Sequence, residues 1–281
     1  MSNIKIIDNS FKHVSSVGST DVNRTPTNFT WDRTPGKSNF VIVTDDFISS
    51  HRDSEKIKVA WLVEPEAVRP DIYRYIRENH HKYHYIFTHN KNLLSIDSDK
   101  FKFIPTAGCW ISDGDCKIHD KTKAISIIAS GKKDTEGHKM RHQVVSNLSR
   151  LNIKEFGVYG REYNPIENKI EALKDYMFSV VIENSREDLY FTEKIIDCFA
   201  TGTIPIYWGA KDIGKFFNPE GIIKVSNVQD IRDIHDCHYL SHMYAERKDA
   251  IAENFEIAKR FYVPEDHIEK ELEDLRLWYK Q

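Results

Sequence analysis

Short apolar runs recur along the first part of the chain: NFVIVT (39–44), KVAWLV (58–63), YHYIFTH (83–89) and FKFIP (101–105). They are rich in Val, Ile and aromatic residues and too short for helices, which predicts strands. Between the second and third, PDIYRYIRENHHK (70–82) sets Ile72, Tyr73 and Ile76 on one face behind a leading Pro, the pattern of a helix. Strand, strand, helix, strand predicts a parallel sheet with crossover helices. Residues 9–38, rich in Ser, Thr, Asn and Pro, read as a long surface loop.

A second alternation begins at AISIIAS (124–130). A helix over about 136–151, strand EFGVYG (155–160), a helix near 166–176, strand FSVVIE (178–183), a helix over 193–201 and strands IPIYW (204–208) and IIKV (222–225) follow. The polar, turn-rich stretch 105–123 separates the two series and is the expected linker. The pattern predicts an α/β protein with two open-sheet, Rossmann-like domains facing a cleft. The expected domains are 1–118, 119–262 and a C-terminal amphipathic helix, 263–281, whose Ile268, Leu272, Leu275 and Trp278 share a face that packs on the body. Ligands of such sheets bind beyond the carboxyl ends of the strands.

Composition narrows the classes. Apolar residues are 40% and charged residues 30% of 281, a globular balance, and the net charge of −3 favours neither nucleic acid nor anionic membrane. No apolar run approaches 18 residues and the start, MSNIKIIDNSFKHVSS, has no signal-peptide pattern, so a cytoplasmic protein without stable membrane insertion is expected. Cys109, Cys116, Cys198 and Cys237 form no CxxC pair, which argues against a disulfide framework or a zinc site. The sequons at Asn23 and Asn28 are read as chance matches on a chain that enters no secretory pathway.

The chemistry concentrates in FSVVIENSREDLYFTEKIIDCFATGTIPIYWG (178–209), where charges stand between two apolar runs. The first run ends at Glu183-Asn184. Thr192 suits the N-cap of the next helix, Ile195, Ile196, Phe199 and Ala200 its buried stripe, and Gly202 its C′ position. Glu193 and Lys194 therefore sit at a helix N-terminus just past a strand end. Free N–H groups, the helix dipole and a Lys there favour a phosphate, and an adjacent carboxylate can accept hydrogen bonds from sugar hydroxyls. The residues point to a nucleotide or nucleotide-sugar site, although a first-turn Glu also suits the dipole with no ligand at all.

Residues 176–209 closely resemble the donor-binding motif of the α1,3/4-fucosyltransferases, glycosyltransferase family 10, in E-N-S-x4-Y-F-T-E-K and the following I-P-I. KDIGKFFNPEGIIKV continues the likeness, nearest to the bacterial branch. The resemblance implies a GT-B-like fold and inverting transfer of L-fucose from GDP-fucose to a glycan hydroxyl. It implies that Glu193 binds the donor ribose, that Lys194 contacts the diphosphate, and that Asn184 and Tyr190 fix nucleotide and fucose. Arg141, in ASGKKDTEGHKMRHQVV, matches a second cation, and two cations suit a diphosphate leaving group. The loop Arg186-Glu187-Asp188-Leu189 is more charged than its usual counterpart and is where another donor, UDP-xylose or UDP-galactose, would register.

An inverting transferase needs a carboxylate to take the acceptor proton. The family supplies it from the N-terminal domain, and KVAWLVEPEAVRP offers Glu64, which ends the strand and matches better, with Glu66 as the alternative. Asp45-Asp46 and Asp113-Gly-Asp115 read as turn residues, and His80, His81, His84 and His89 as surface or cleft-lining residues. The family works through protein cations, so neither an obligatory metal nor a cofactor is expected; the partners are a nucleotide sugar and a glycan acceptor. A non-catalytic nucleotide- or glycan-binding module is the alternative of another class, and the joint presence of Glu64, Arg141, Glu193 and Lys194 argues against it.

Overall fold

A six-stranded sheet ordered β2-β1-β3-β4-β5-β6 and a five-stranded sheet ordered β11-β10-β9-β7-β8 carry the molecule, and every described pairing in both is parallel. The computed structural model describes residues 2–9, 11, 14–18, 24–36, 38–51, 57–150, 156–234 and 237–272, with main chain only at 2, 237 and 238. The strands are β1 (Ser2–Ile7), β2 (Phe29–Asp32), β3 (Phe40–Thr44), β4 (Ile57–Trp61), β5 (Tyr85–Thr88), β6 (Phe101–Phe103), β7 (Lys123–Ile128), β8 (Phe156–Tyr159), β9 (Tyr176–Ile182), β10 (Ile204–Trp208) and β11 (Ile223–Lys224).

The chain divides into two compact units, 1–108 with 263–281, and 109–262. In the first, β3 is buried along its whole length and β4 nearly so, as expected of central parallel strands covered on both faces. Ile42, Val59 and Trp61 face one core layer with Phe11 and Phe29; Val41, Ala60 and Leu62 face the other with Ile72, Tyr73 and Ile76 of the helix Pro70–Asn79. The segment after 262 returns to this unit. Ile268 and Leu272 enter the first layer, and the buried Glu265 accepts the Ser16 hydroxyl and the Val17 N–H, each at 2.7 Å. Leu275 and Trp278 of the expected apolar face lie outside the described residues, as do Asn23 and the Cys237 side chain. In the second unit, β7, β9 and β10 pack through Ile125, Ile127, Val180 and Ile206 against Val144 and Leu148 of the helix Glu136–Arg150.

Four expectations need correction. Residues 9–38 are not all loop, because β2 lies within them, parallel to β1. β2 has four residues, of which only Phe29 and Trp31 are apolar, so its alternation is a weak signal. The helix expected near 166–176 is one 3₁₀ turn, Lys169–Ala172, closed by a capping box between Asn168 and Glu171, since β9 already begins at Tyr176. Much of the stretch read as a linker is packed into the second unit: Cys109 and Ile111 are buried, and the Trp110 N–H donates to Asp197 at 2.7 Å. His89 is fully buried rather than superficial.

Candidate active site

In the second sheet β8 lies on one side of β7 and β9 on the other, so the connections diverge between β7 and β9. Such a switch point opens a crevice at the carboxyl ends of the strands. The cavity here is about 280 Å³, lined at the strand ends by Ile128, Ser130, Ile182 and Asn184, and around them by Trp110, Lys132, His138, Arg141, Lys169, Glu193, Lys194 and Asp197. Four cations face two carboxylates, a balance suited to an anionic ligand.

Two helix starts meet the end of β9. Gly137, in the first turn of Glu136–Arg150, donates to the Asn184 carbonyl at 3.3 Å. A Cβ at Gly137 would stand 1.8 Å from the Glu183 carbonyl oxygen, so only glycine allows this approach. One turn on, Arg141 is buried; its Nε donates to the Ile182 carbonyl at 2.9 Å and its Nη2 to Asn184 Oδ1 at 3.0 Å. Burial lowers the Arg141 pKa, opposed by Glu183 and Glu193, yet a guanidinium keeps its proton at any working pH.

The second helix, Glu193–Ala200, begins as the sequence predicts. Thr192 is its N-cap in extended conformation, and Gly202 follows its end with φ +72°. The fully buried Glu183 accepts the Thr192 N–H at 2.9 Å and the Thr192 hydroxyl at 2.8 Å. Lys194 Nζ lies 2.9 Å from Thr192 Oγ1, 3.3 Å from Glu193 Oε1 and 3.5 Å from Glu183 Oε2. Its side chain keeps 26% exposure, so the ammonium is held by carboxylates yet open to a ligand.

Lys169, Asp197 and Trp110 escaped the sequence reading. Lys169 Nζ bridges Asp197 at 2.8 Å and Glu193 at 3.1 Å and stands 4.0 Å from the Trp110 ring centroid. Glu193 and Asp197 are i,i+4 on one helix, a repulsive pair unless a cation lies between them. Burial alone would raise the Glu193 pKa, but Lys169 and Lys194 together hold it well below the usual carboxylate range. Asp197 is more deeply buried, and burial with the Glu193 charge raises its pKa despite Lys169. Lys169 itself is raised, its burial outweighed by the two acids. His138 is lowered to about 4 by burial and by Arg141 and Lys132, so it is neutral at pH 7. A signal for Lys169 and Asp197 was available: a Lys in a first turn opposes the helix dipole, and an Asp stands inside an apolar stripe.

The structure thus brings Arg141, Asn184, Glu193 and Lys194 together around one cavity. Tyr190 is buried and is not among its lining residues. The charged loop is fastened elsewhere: Glu187 and Asp188 carbonyls accept the Lys211 and Asp212 N–H groups at 3.0 Å, and none of Arg186 to Leu189 lines the cavity.

Glu64 and Glu66 belong to the first unit, past the carboxyl end of β4. Glu66 is engaged with Arg77 at 2.7 Å. Glu64 is half-buried, and its main chain is bonded at both N–H and C=O, to Asp45 and Tyr73. Asp113-Gly-Asp115 forms a 3₁₀ turn, and among the described residues no three of His, Cys, Asp and Glu group as metal ligands. No helix among them is long and apolar enough to cross a membrane.

Comparison with known proteins places this geometry. An 85-residue segment is 36% identical to the alpha-(1,3)-fucosyltransferase FucT of Helicobacter pylori, covering 30% of this chain and 17% of that protein. A 120-residue segment is 28% identical to a putative fucosyltransferase-like protein of Arabidopsis thaliana, covering 42% of this chain and 23% of that protein. The matched segments therefore span less than a quarter of these relatives' length. Among solved structures, an alpha1,3-fucosyltransferase with GDP-fucose aligns with a TM-score of 0.57 at 18% identity, over 97% of this chain and 90% of the other. The same enzyme type with GDP aligns at 0.54 and 16% identity, over 95% and 88%. These likenesses show the GT-B-like fold of two parallel-sheet α/β domains. The family described as glycosyltransferase family 10 (fucosyltransferase) C-term matches residues 118–274. That is more than half of the 281 residues, and the chain belongs to glycosyltransferase family 10.

Proposed function

We propose that the protein is an inverting glycosyltransferase that moves L-fucose from GDP-fucose to a hydroxyl of a glycan acceptor. The observation that carries this reading is the cavity at the β7/β9 switch point, where Arg141 and Lys194 stand beside two helix N-termini. In the reaction the C1–oxygen bond to the β-phosphate breaks as the acceptor oxygen attacks the opposite face of C1. The bond electrons leave with GDP, and the growing charge on the diphosphate falls to Lys194, Arg141 and the N–H groups of the helix start. Glu193, kept ionised by Lys169 and Lys194, accepts hydrogen bonds from the ribose hydroxyls. Asn184, oriented by Arg141, contacts the donor. Glu64 takes the proton of the attacking hydroxyl; Glu66 is already occupied by Arg77.

Thermal unfolding in the presence of GDP, GDP-fucose, UDP, UDP-xylose and UDP-galactose tests the donor. GDP and GDP-fucose raise the transition temperature, and the UDP series does not. Stabilisation by UDP without GDP assigns a different donor, and stabilisation by none rejects the donor site. Lys194→Ala separates phosphate from nucleoside. It weakens GDP binding by about 10- to 100-fold, as expected for one charge-assisted bond, and leaves guanosine binding unchanged. Equal loss for both ligands removes the phosphate role.

A further inference from the structure

The first unit holds a buried polar cluster around Glu64 that the donor cavity does not use. β3 ends at Thr44 and the chain turns at Asp45, which has the one positive φ, +20°, among the described non-glycine residues. Asp45 is 2% exposed. Its Oδ1 accepts the Val63 N–H at 3.0 Å, and the Glu64 N–H lies 3.4 Å from Oδ1 and 3.3 Å from Oδ2. On the other side of the residue, the Tyr73 hydroxyl donates to the Glu64 carbonyl at 3.0 Å. His89 Nε2 stands 3.3 Å from that hydroxyl, and His89 Nδ1 stands 3.0 Å from Thr106 Oγ1.

The direction of this chain follows from the donors. Tyr73 gives its only proton to the Glu64 carbonyl, so its oxygen must accept from His89 Nε2–H. His89 Nδ1 then accepts the Thr106 hydroxyl, which fixes one neutral tautomer. Burial lowers the His89 pKa to about 3, consistent with a ring that carries no charge here.

We propose that Asp45 and Tyr73 are positioning residues of the base, a clamp that grips Glu64 by its N–H and its C=O and fixes where its carboxylate stands. This rests on the reading of Glu64 as the base. Both contacts are hydrogen bonds that need an acceptor at 45 and a donor at 73, and both close on the main chain of Glu64. Burial, with the Glu64 charge beside it, pushes the Asp45 pKa up to about 7, against the two backbone N–H groups and Arg69. Arg69 is shared with Asp46 and Asp71, so it gives Asp45 no dedicated counter-charge.

The test compares Asp45→Ala, Asp45→Asn, Tyr73→Phe and Glu64→Gln in steady-state transfer with the donor and acceptor that turn over fastest, beside GDP-induced stabilisation of each variant. Asp45→Ala lowers kcat by about 10- to 100-fold, the range for a displaced catalytic group, with donor KM and GDP stabilisation unchanged. Asp45→Asn retains an oxygen acceptor and recovers most of that kcat; Tyr73→Phe loses a smaller factor. Wild-type kcat in Asp45→Ala, or no recovery in Asp45→Asn, overturns the clamp. Normal transfer by Glu64→Gln instead overturns the assignment of the base, a separate failure. An independent readout needs neither turnover nor the Ala variant. In selectively ¹⁵N-labelled protein the Val63 and Glu64 amide shifts titrate together near pH 7 in the wild type and not in Asp45→Asn. Amides that stay flat across the whole titration of Asp45 in the wild type overturn the contact.

Discussion

The carboxylates beyond β9 are placed through their side chains, and the acid just past β4 has an anchor on its main chain. At β9, Glu193, Asp197 and Glu183 are bound by cations, Lys169 and Lys194, through side chains. At β4, the described hold on Glu64 is on its main chain, from Asp45 and Tyr73. A group that keeps a fixed charge to bind a ligand gains from a permanent counter-ion. The main-chain anchor of Glu64 sets its place independently of what its carboxylate binds, whereas the acids beyond β9 are placed by the cations they bind.

The comparison breaks most sharply at Glu64. Glu64→Gln keeps the size and the main-chain clamp and removes the basic oxygen. Transfer should fall by about 10²- to 10⁴-fold, the usual contribution of a general base. GDP binding, read by calorimetry, should be unchanged. Transfer at the wild-type rate would mean that the β4 rim does no proton chemistry.

At β9 the equivalent cut is Lys169→Met, which keeps the stem against Trp110 and removes the charge. Glu193 and the buried Asp197 are then left as a like-charge pair on one helix face. Removing one partner of a buried ion pair costs about 3–5 kcal/mol, to be read in urea unfolding of the second unit. The loss should shrink in the double variant Lys169→Met with Asp197→Asn, which relieves the repulsion. A single variant as stable as the wild type would show that the acids do not depend on this cation.

The sequence was far more legible at β9 than at β4. Thr192, Glu193, Lys194 and Gly202 lie within one strand-to-strand connection, so cap, dipole and charge can be read from consecutive letters, and the helix forms as they predict. Arg141 joins them because Gly137 lets its helix start touch the strand end, a contact 46 positions from Glu183 that no local pattern encodes. Lys169 stands in what reads as an ordinary amphipathic helix, where only its first-turn position, against the helix dipole, marks it. The β4 cluster draws on Asp45, Glu64, Tyr73, His89 and Thr106, five separate segments brought together by the parallel order of β3, β4, β5 and β6 and by the helix Pro70–Asn79. Asp45 in isolation has the letters of a turn. Its burial follows from the strand beside it, and sequence alone does not state that neighbour.

The smallest effect is expected at Glu66, two residues from Glu64 and chemically identical to it. Its carboxylate pairs with Arg77 at 2.7 Å, with both side chains more than a third exposed or close to it. Such pairs contribute about 0.2–1 kcal/mol. Glu66→Gln should therefore lower stability by less than about 1 kcal/mol and leave transfer within about twofold of the wild type, since the carboxylate is already engaged by the Arg77 guanidinium. The value of the experiment lies in pairing it with Glu64→Gln in one assay. If the two variants exchange phenotypes, the base is Glu66, and the main-chain anchor of Glu64 has no part in proton transfer.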